Sequence, residues 1–410
     1  MEKALNAPRS GSLPSMSSRL DDVQAPIVPI VGDWIRQTPG TISLGQGVVH
    51  YGPPPEAVAA ARDALSRAST HQYQDGAGLP ALVDEVARKL AADNHIDVAH
   101  GSRVMVTAGA NMAFMHAVLA TTRPGDEVVL LAPFYFNHEM AIEIAGCRAV
   151  CVRTDERYQP RLDAIASAVN SRTRAVVTIS PNNPSGAVYD ERRLRQVNAL
   201  CRERGLFHIS DETYEYFTYG PSRHVSPGSF PDAAGHTISL YSLSKAYGFA
   251  GWRIGYMAYP AALEGAMMKT QDTILICPPV VSQIAAAAAM GVGRAYCEPH
   301  VRELASIREI VVSALGTLAP RVRVPAADGA FYCLVQVDAG ARSGAAADQA
   351  LTSMTLAERL VREHRVALIP GSAFGMSEGC SLRVAYGALQ KDTVAEGLDR
   401  MIGGLRAILG

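Results

Sequence analysis

The chain lacks the features that mark several large classes of protein. It has no excess of charge of either sign: 38 Lys and Arg stand against 39 Asp and Glu in 410 residues. That balance leaves no electrostatic footprint for a nucleic acid or an anionic membrane. Cysteines are few, seven, at 147, 151, 201, 277, 297, 333 and 380. Their odd number and the absence of a CxxC pair argue against a disulfide framework and for reduced thiols in a cytoplasmic compartment. No uninterrupted apolar run is long enough to span a bilayer; the alanine run at 285–289 is flanked by Gln283, Gly291 and Arg294 and reads as a buried helix face. The first 20 residues lack the apolar core of a secretory signal, and residues 1–24 read as a disordered tail rather than a cleaved leader.

With 48% hydrophobic and 19% charged residues, the chain can bury a sizeable core, and its length suits two domains. From about residue 100, short β-branched runs alternate with longer helical patterns. Arg103–Thr107, Glu127–Leu131, Ala149–Arg153, Ala175–Ile179, Leu206–Ser210, Thr237–Tyr241 and Arg253–Ala258 read as strands. Met112–Thr121, Arg161–Val169 and Glu191–Arg204 read as helices between them. The pattern predicts an α/β fold with a mostly parallel seven-stranded sheet flanked by helices. A smaller α/β unit follows, with a helix over Glu303–Ala319, a strand over Phe331–Val337, a helix near Leu356–His364 and short strands around Ile369 and Arg383. The expected division is a large domain over 51–299 and a small one from 25–50 and 300–410, with a mobile Gly/Ala-rich loop at Ala339–Ala347.

Open α/β sheets bind ligands beyond the carboxyl ends of their strands, and the chemically informative residues follow Thr107, Ile179, Ser210 and Tyr241. The segment Ser242–Gly255 reads SLSKAYGFAGWRIG. Two hydroxyls, Ser242 and Ser244, precede Lys245, and Arg253 follows. Hydroxyls and a guanidinium around one amine suit an aldehyde cofactor with a phosphate tail, and Gly248 and Gly251 let the backbone approach closely. The segment resembles the lysine motif of the class I/II aminotransferases, the fold-type I pyridoxal-5'-phosphate (PLP) family that includes aspartate and kynurenine aminotransferases. The resemblance covers roughly residues 25 to 405 and implies that Lys245 carries PLP as a Schiff base, with Ser242, Ser244 and Arg253 around the phosphate.

Further motifs match the family in its order along the chain. In Ile209–Tyr214, Asp211 matches the aspartate that pairs with the pyridine nitrogen, and Tyr214 the tyrosine that donates to the phenolic oxygen; Glu212 has no assigned role. A fixed carboxylate is needed there because a protonated pyridinium takes up the electron pair released at Cα. In Ser180–Gly186, Asn183 matches the asparagine that contacts the phenolic oxygen and the substrate carboxylate, in preference to Asn182. Thr107–Asn111 matches the first phosphate turn, with Gly109 before the backbone donors Ala110 and Asn111. Tyr135 falls where the family places the aromatic that stacks on the pyridine. Tyr73 matches the tyrosine that reaches the phosphate of the other subunit, implying a homodimer with shared active sites. Arg383 matches the substrate-carboxylate arginine, and Gly47, in Leu44–Gly47, faces the same carboxylate. No metal site is expected.

The implied activity is transfer of an amino group from an amino acid to a 2-oxo acid, in two half-reactions. Amino-acid lyases and cyclising synthases share these motifs and stay open as alternatives. A PLP-binding regulatory module is the reading from another class, but it needs a DNA-binding domain ahead of the first recognised element. Dicarboxylate-specific relatives carry a second cation, either an arginine after the lysine motif or a lysine in the first phosphate turn. Thr270–Gln283 contains neither Arg nor Lys, and the turn carries Asn111. A neutral or aromatic amino acid is therefore the expected donor, with His50, Tyr51 and His138 as polar residues whose positions the sequence does not reveal.

Overall fold

The computed structural model describes residues 18, 20–21, 23–338 and 351–410. The loop expected at 339–347, and most of the tail expected over 1–24, lie outside them. A seven-stranded sheet runs in the order Ser102–Thr107, Gly255–Pro260, Thr237–Ser242, Phe207–Asp211, Thr173–Ile179, Glu127–Ala132, Arg148–Arg153. Gly255–Pro260 is antiparallel to both of its neighbours, and every other neighbouring pair is parallel. The strand Glu127–Ala132 is buried along its whole length, as a strand covered on both faces by helices must be. Because the strands are parallel, Thr107, Ala132, Ile179, Asp211 and Ser242 all end at one edge of the sheet. The antiparallel strand starts at that edge, with Gly255 in register with Thr107 and Ser242.

A second, antiparallel sheet of four strands has the order Ile369–Pro370, Cys380–Ala385, Tyr332–Val337, Val322–Arg323. Helices Arg294–Gly316, Ser353–His364 and Lys391–Leu409 accompany it. A two-residue parallel pairing of Ile42–Ser43 with Val366–Ala367 ties the segment after the first helix, Ile27–Gln37, to this unit. No helix among the described residues is long and apolar enough to cross a membrane.

Two expectations need correction. Arg253 does not open a strand; it sits in a left-handed turn at φ 56°, and the strand begins at Gly255. The helix expected from Glu303 begins at Arg294 and carries Pro299 near its start, so the boundary expected at residue 300 falls inside a helix. Proline costs a helix one backbone hydrogen bond, which the remainder of this long element outweighs. The last helix has no clear sequence signal because glycines interrupt it. Two of them serve packing: a Cβ on Gly404 would lie 2.7 Å from Leu360 Cδ2, and one on Gly397 3.0 Å from Ile42 Cγ2.

One close backbone approach is where the antiparallel strand meets the turn after Thr107. A Cβ on Gly255 would lie 2.7 Å from the carbonyl carbon of Gly109, 2.7 Å from the Tyr241 oxygen and 2.8 Å from the Ala110 nitrogen. All three are backbone atoms with no rotamer to yield. Gly255→Ala is expected to cost about 1–3 kcal/mol by overpacking, read as an earlier midpoint in urea. A midpoint equal to that of the parent protein would show that the strand and turn can separate freely.

Candidate active site

A cleft opens at the carboxyl edge of the large sheet and is closed on its other side by the small sheet. Of the residues expected in the site, Gly47, Ala110, Asn111, Tyr135, Asn183, Asp211, Tyr214, Ser242, Ser244, Lys245, Arg253 and Arg383 all line it. Gly109 lies just behind: its φ is 81°, and a Cβ there would fall 2.4 Å from Arg253 Nη2. Only glycine permits both that backbone conformation and the approach of the guanidinium. Tyr73 stands apart, 80% exposed on the outer surface, and makes no part of its own chain's cleft.

Lys245 is held on a four-residue helix, Leu243–Ala246, that starts directly from the strand ending at Ser242. The Ser242 hydroxyl caps it by accepting from the Ser244 amide at 3.1 Å. The Lys245 Nζ donates to the Gly47 carbonyl at 2.6 Å. Burial brings this amine down to about 8, aided by the positive charges of Arg383 and Arg253 and opposed by Asp211. It is therefore far readier than a surface lysine to lose its proton.

Asp211 is 5% exposed. Burial alone would push its carboxyl up, but the His138 ring at 3.1 Å and the Thr213 amide at 3.0 Å hold it below its ordinary value. His138 is itself buried and stacked on Phe114, with ring centroids 3.9 Å apart. It holds the Asp211 carboxylate from outside the cleft lining. The other two polar residues left unplaced by sequence are also engaged. His50 meets the Gly387 carbonyl at 3.3 Å and Glu303 at 3.3 Å, and the Tyr51 hydroxyl donates to the Lys245 carbonyl at 3.1 Å.

At one end of the cleft the helix Ala110–Thr121 begins without a side-chain cap, so the amides of its first turn are open to an anion. Arg253 arches over this turn, donating to the Ala250 and Ala108 carbonyls at 3.0 and 3.1 Å. At the other end Arg383, 2% exposed, donates to Asn183 Oδ1 at 2.9 Å and to the Gly45 carbonyl at 2.7 Å. Its Nε has no partner, and its guanidinium lies over the rings of Tyr332 and Phe374 at 4.7 and 5.1 Å. Asn182 is turned inward, with its Oδ1 accepting from the Ser185 amide and hydroxyl at 3.0 and 2.6 Å, so Asn183 is the one that faces the cleft. Tyr135 accepts from Asn137 Nδ2 at 2.8 Å.

Among the cleft residues that escaped the sequence reading, which include Val28, Val48, Phe136 and Ile179, Tyr332 stands nearest the predicted polar groups. Tyr332, fully buried, places its hydroxyl 2.8 Å from that of Tyr214. It opens a strand of the small sheet, where an aromatic is the ordinary core residue, and no local pattern distinguishes it.

The cleft thus offers an anion-binding end at a helix start, an amine of depressed pKa in the middle beside a buried carboxylate, and a buried guanidinium opposite. These residues fit pyridoxal 5'-phosphate: the glycine cradle and Arg253 suit its phosphate, Lys245 its aldehyde and Asp211 its ring nitrogen. Comparison with known proteins agrees. The family pattern of aminotransferase class I and II matches residues 39–401. An aromatic aminotransferase of Arabidopsis thaliana is 32% identical over 97% of this chain and 98% of its own. An aspartate aminotransferase of Pyrococcus abyssi is 32% identical over 94% and 97%. Among solved structures, the aromatic aminotransferase of Pyrococcus horikoshii superposes with a TM-score of 0.82 at 30% identity, covering 92% of this chain and 99% of that one. The Thermus thermophilus aspartate aminotransferase with maleate gives 0.85 at 28% identity, covering 96% and 100%.

The depressed Lys245 amine has a consequence for pH. In protein freed of cofactor, its reaction with an aldehyde should accelerate as pH rises through about 8, because only the unprotonated amine is nucleophilic. A midpoint near the ordinary lysine value of about 10.4 would show that burial and the two arginines do not act on Nζ.

Proposed function

We propose a substrate class and a division of labour for this site, on the premise that the chain belongs to the class I and II aminotransferases and so transfers an amino group from an amino acid to a 2-oxo acid with pyridoxal 5'-phosphate as cofactor. When bound, the cofactor supplies an aldehyde that condenses with amines and a pyridinium ring that takes up electron density from Cα. Lys245 anchors it, and its Nζ, once released, takes the proton from the amino acid's Cα and later returns it. Asp211, oriented by His138, keeps the ring nitrogen protonated. Tyr214 and Asn183 would hydrogen-bond the cofactor's phenolic oxygen, and Tyr135 would pack on its ring. Ser242, Ser244, Arg253 and the amides of Ala110 and Asn111 hold the phosphate, with Gly109 giving them room. Arg383 orients the substrate carboxylate through two parallel hydrogen bonds, beside Gly47. The large unit, from residue 51 to the start of the helix Arg294–Gly316, carries the cofactor, and the small unit, 25–50 with that helix and the segments after it, covers the substrate.

The amino donor we infer is neutral or aromatic. The observation that carries this is the inventory of cations among the described cleft-lining residues, which contains Lys245, Arg253 and Arg383 and nothing more. Each already has a task. His50, Tyr51 and His138 are engaged elsewhere, and Val28, Val48, Phe136 and Ile179 supply apolar walls. A second carboxylate buried there without a partner would cost several kcal/mol, on the order of the penalty for an unpaired desolvated charge. The relatives carry both aromatic and aspartate names, and the cation inventory is what supports the neutral or aromatic reading.

We further propose a homodimer in the cytoplasm. Tyr73 is exposed together with Ile274 and Ile276, and the loop bearing Tyr73 packs on that segment, where a Cβ on Gly76 would lie 3.2 Å from the Ile276 oxygen. Arg253 is itself exposed in the single chain, leaving the phosphate end room for a partner's tyrosine. All seven cysteines are free, which suits a reducing compartment.

Two measurements test these readings. kcat/KM for phenylalanine, methionine or kynurenine should exceed that for aspartate and glutamate at least tenfold, about 1.4 kcal/mol in transition-state binding; the opposite preference by the same factor would overturn the substrate class. Sedimentation at micromolar concentration should show a dimer, and Tyr73→Phe should weaken cofactor retention without altering the dimer. A fully active monomer refutes the shared site.

A further inference from the structure

The Tyr214–Tyr332 hydroxyl pair sits where the two sheets meet, and the chemistry assigned to Tyr214 leaves Tyr332 without a task. Its surroundings are specific. The ring lies beneath Arg383, 4.7 Å from the guanidinium carbon. The hydroxyl is so close to the Gly47 backbone that a Cβ there would fall 2.9 Å away. The hydroxyl contact to Tyr214 is 2.8 Å, and the ring is fully buried.

Two neutral hydroxyls in contact hold two protons. One is spent in the bond between them and the other is left for a third group. Which proton is spent depends on which oxygen is the stronger acid. Burial pushes both hydroxyls up, and Arg383, whose guanidinium lies 4.7 Å over the Tyr332 ring, opposes it most directly at Tyr332. The cation on the Tyr332 ring therefore makes its O–H the better donor. With that donor in place, the Tyr214 oxygen is satisfied as an acceptor and its proton is directed into the cleft.

We propose that Tyr332 is a positioning residue for Tyr214: its hydroxyl donates to the Tyr214 oxygen and turns the Tyr214 proton toward the cofactor's phenolic oxygen. This rests on the role given to Tyr214 above. Without the Tyr332 hydroxyl, Tyr214 is free to rotate and donates less to that oxygen. The deprotonated form of the bound cofactor, which places most charge there, is then less favoured, and the pH at which its absorbance band changes moves upward.

The experiment is a spectrophotometric pH titration of the holoenzyme without substrate. Tyr332→Phe keeps the ring and the face on which Arg383 lies, and it should raise the midpoint by about half a pH unit, a roughly threefold change in the proton equilibrium. Tyr214→Phe should raise it further, and the double variant should match Tyr214→Phe alone. Replacing Tyr332 by 3-fluorotyrosine, a stronger acid of nearly the same shape, should move the midpoint the other way, an effect no packing defect produces. An unmoved midpoint in both Tyr332 variants, with Tyr214→Phe shifted, overturns the inference and leaves the reading of Tyr214 standing. Additive shifts in the double variant overturn it too, because Tyr332 then acts by another route. An unmoved midpoint in Tyr214→Phe removes the role of Tyr214 and this inference with it.

Discussion

A guanidinium withdrawn from water has to be compensated where it lies, and the architecture of this protein turns on how Arg383 is compensated. It is 2% exposed and takes its partners from two distant stretches of chain, the Gly45 carbonyl and Asn183 Oδ1. Gly45 follows the strand that pairs with the small unit, and Asn183 follows a central strand of the large sheet. One buried cation therefore holds together three segments far apart in sequence, and leaving it unpartnered would be strongly destabilising. The cleft exists as a closed site because this bridge spans its two walls.

The large sheet does the complementary work. Its parallel strands bring Gly109, Tyr135, Asn183, Asp211 and Lys245 to one edge, each within a few residues of a strand end. The backbone leaving the central strand then separates two carboxylates. Asp211 faces the cleft and His138, while Glu212 is buried on the far side, accepting from Tyr241 at 3.1 Å and lying 2.9 Å from His224. Holding Glu212 through its Oε2 in that network keeps a second negative charge out of the cleft. The backbone follows the same economy of space: Gly109 and Gly255 let the antiparallel strand, the turn after Thr107 and Arg253 come together within contact distance.

Some expectations failed for reasons that local pattern cannot reach. Arg253 stands after apolar residues and before a strand, so it reads as part of that strand; its left-handed φ follows from the need to turn its side chain back over Ala108. The helix Lys391–Leu409 contains glycines that weaken a helical signal, and only the close approach of Leu360 and Ile42 explains them. His138, Tyr51 and His50 are polar residues near the site in sequence terms, yet their partners Asp211, the Lys245 carbonyl and Glu303 are set by packing. Tyr332 is the clearest case, since its neighbours Gly47, Tyr214 and Arg383 come from three other parts of the chain.

What the sequence by itself determined is the chemistry: an amine among hydroxyls and a guanidinium, a carboxylate at a strand end, a glycine-led helix start, and a strand-helix alternation that dictates a parallel sheet. Those are local facts, because each depends on residue type and short spacing, and backbone sterics convert spacing into strand ends and turns. The tertiary structure alone decided which polar groups face the cleft and which are spent elsewhere, that no further cation among the described residues lines it, and that two tyrosine hydroxyls meet beneath Arg383. Those depend on the docking of the small sheet against the large one, where burial, charge compensation and close packing act between residues that the chain holds far apart.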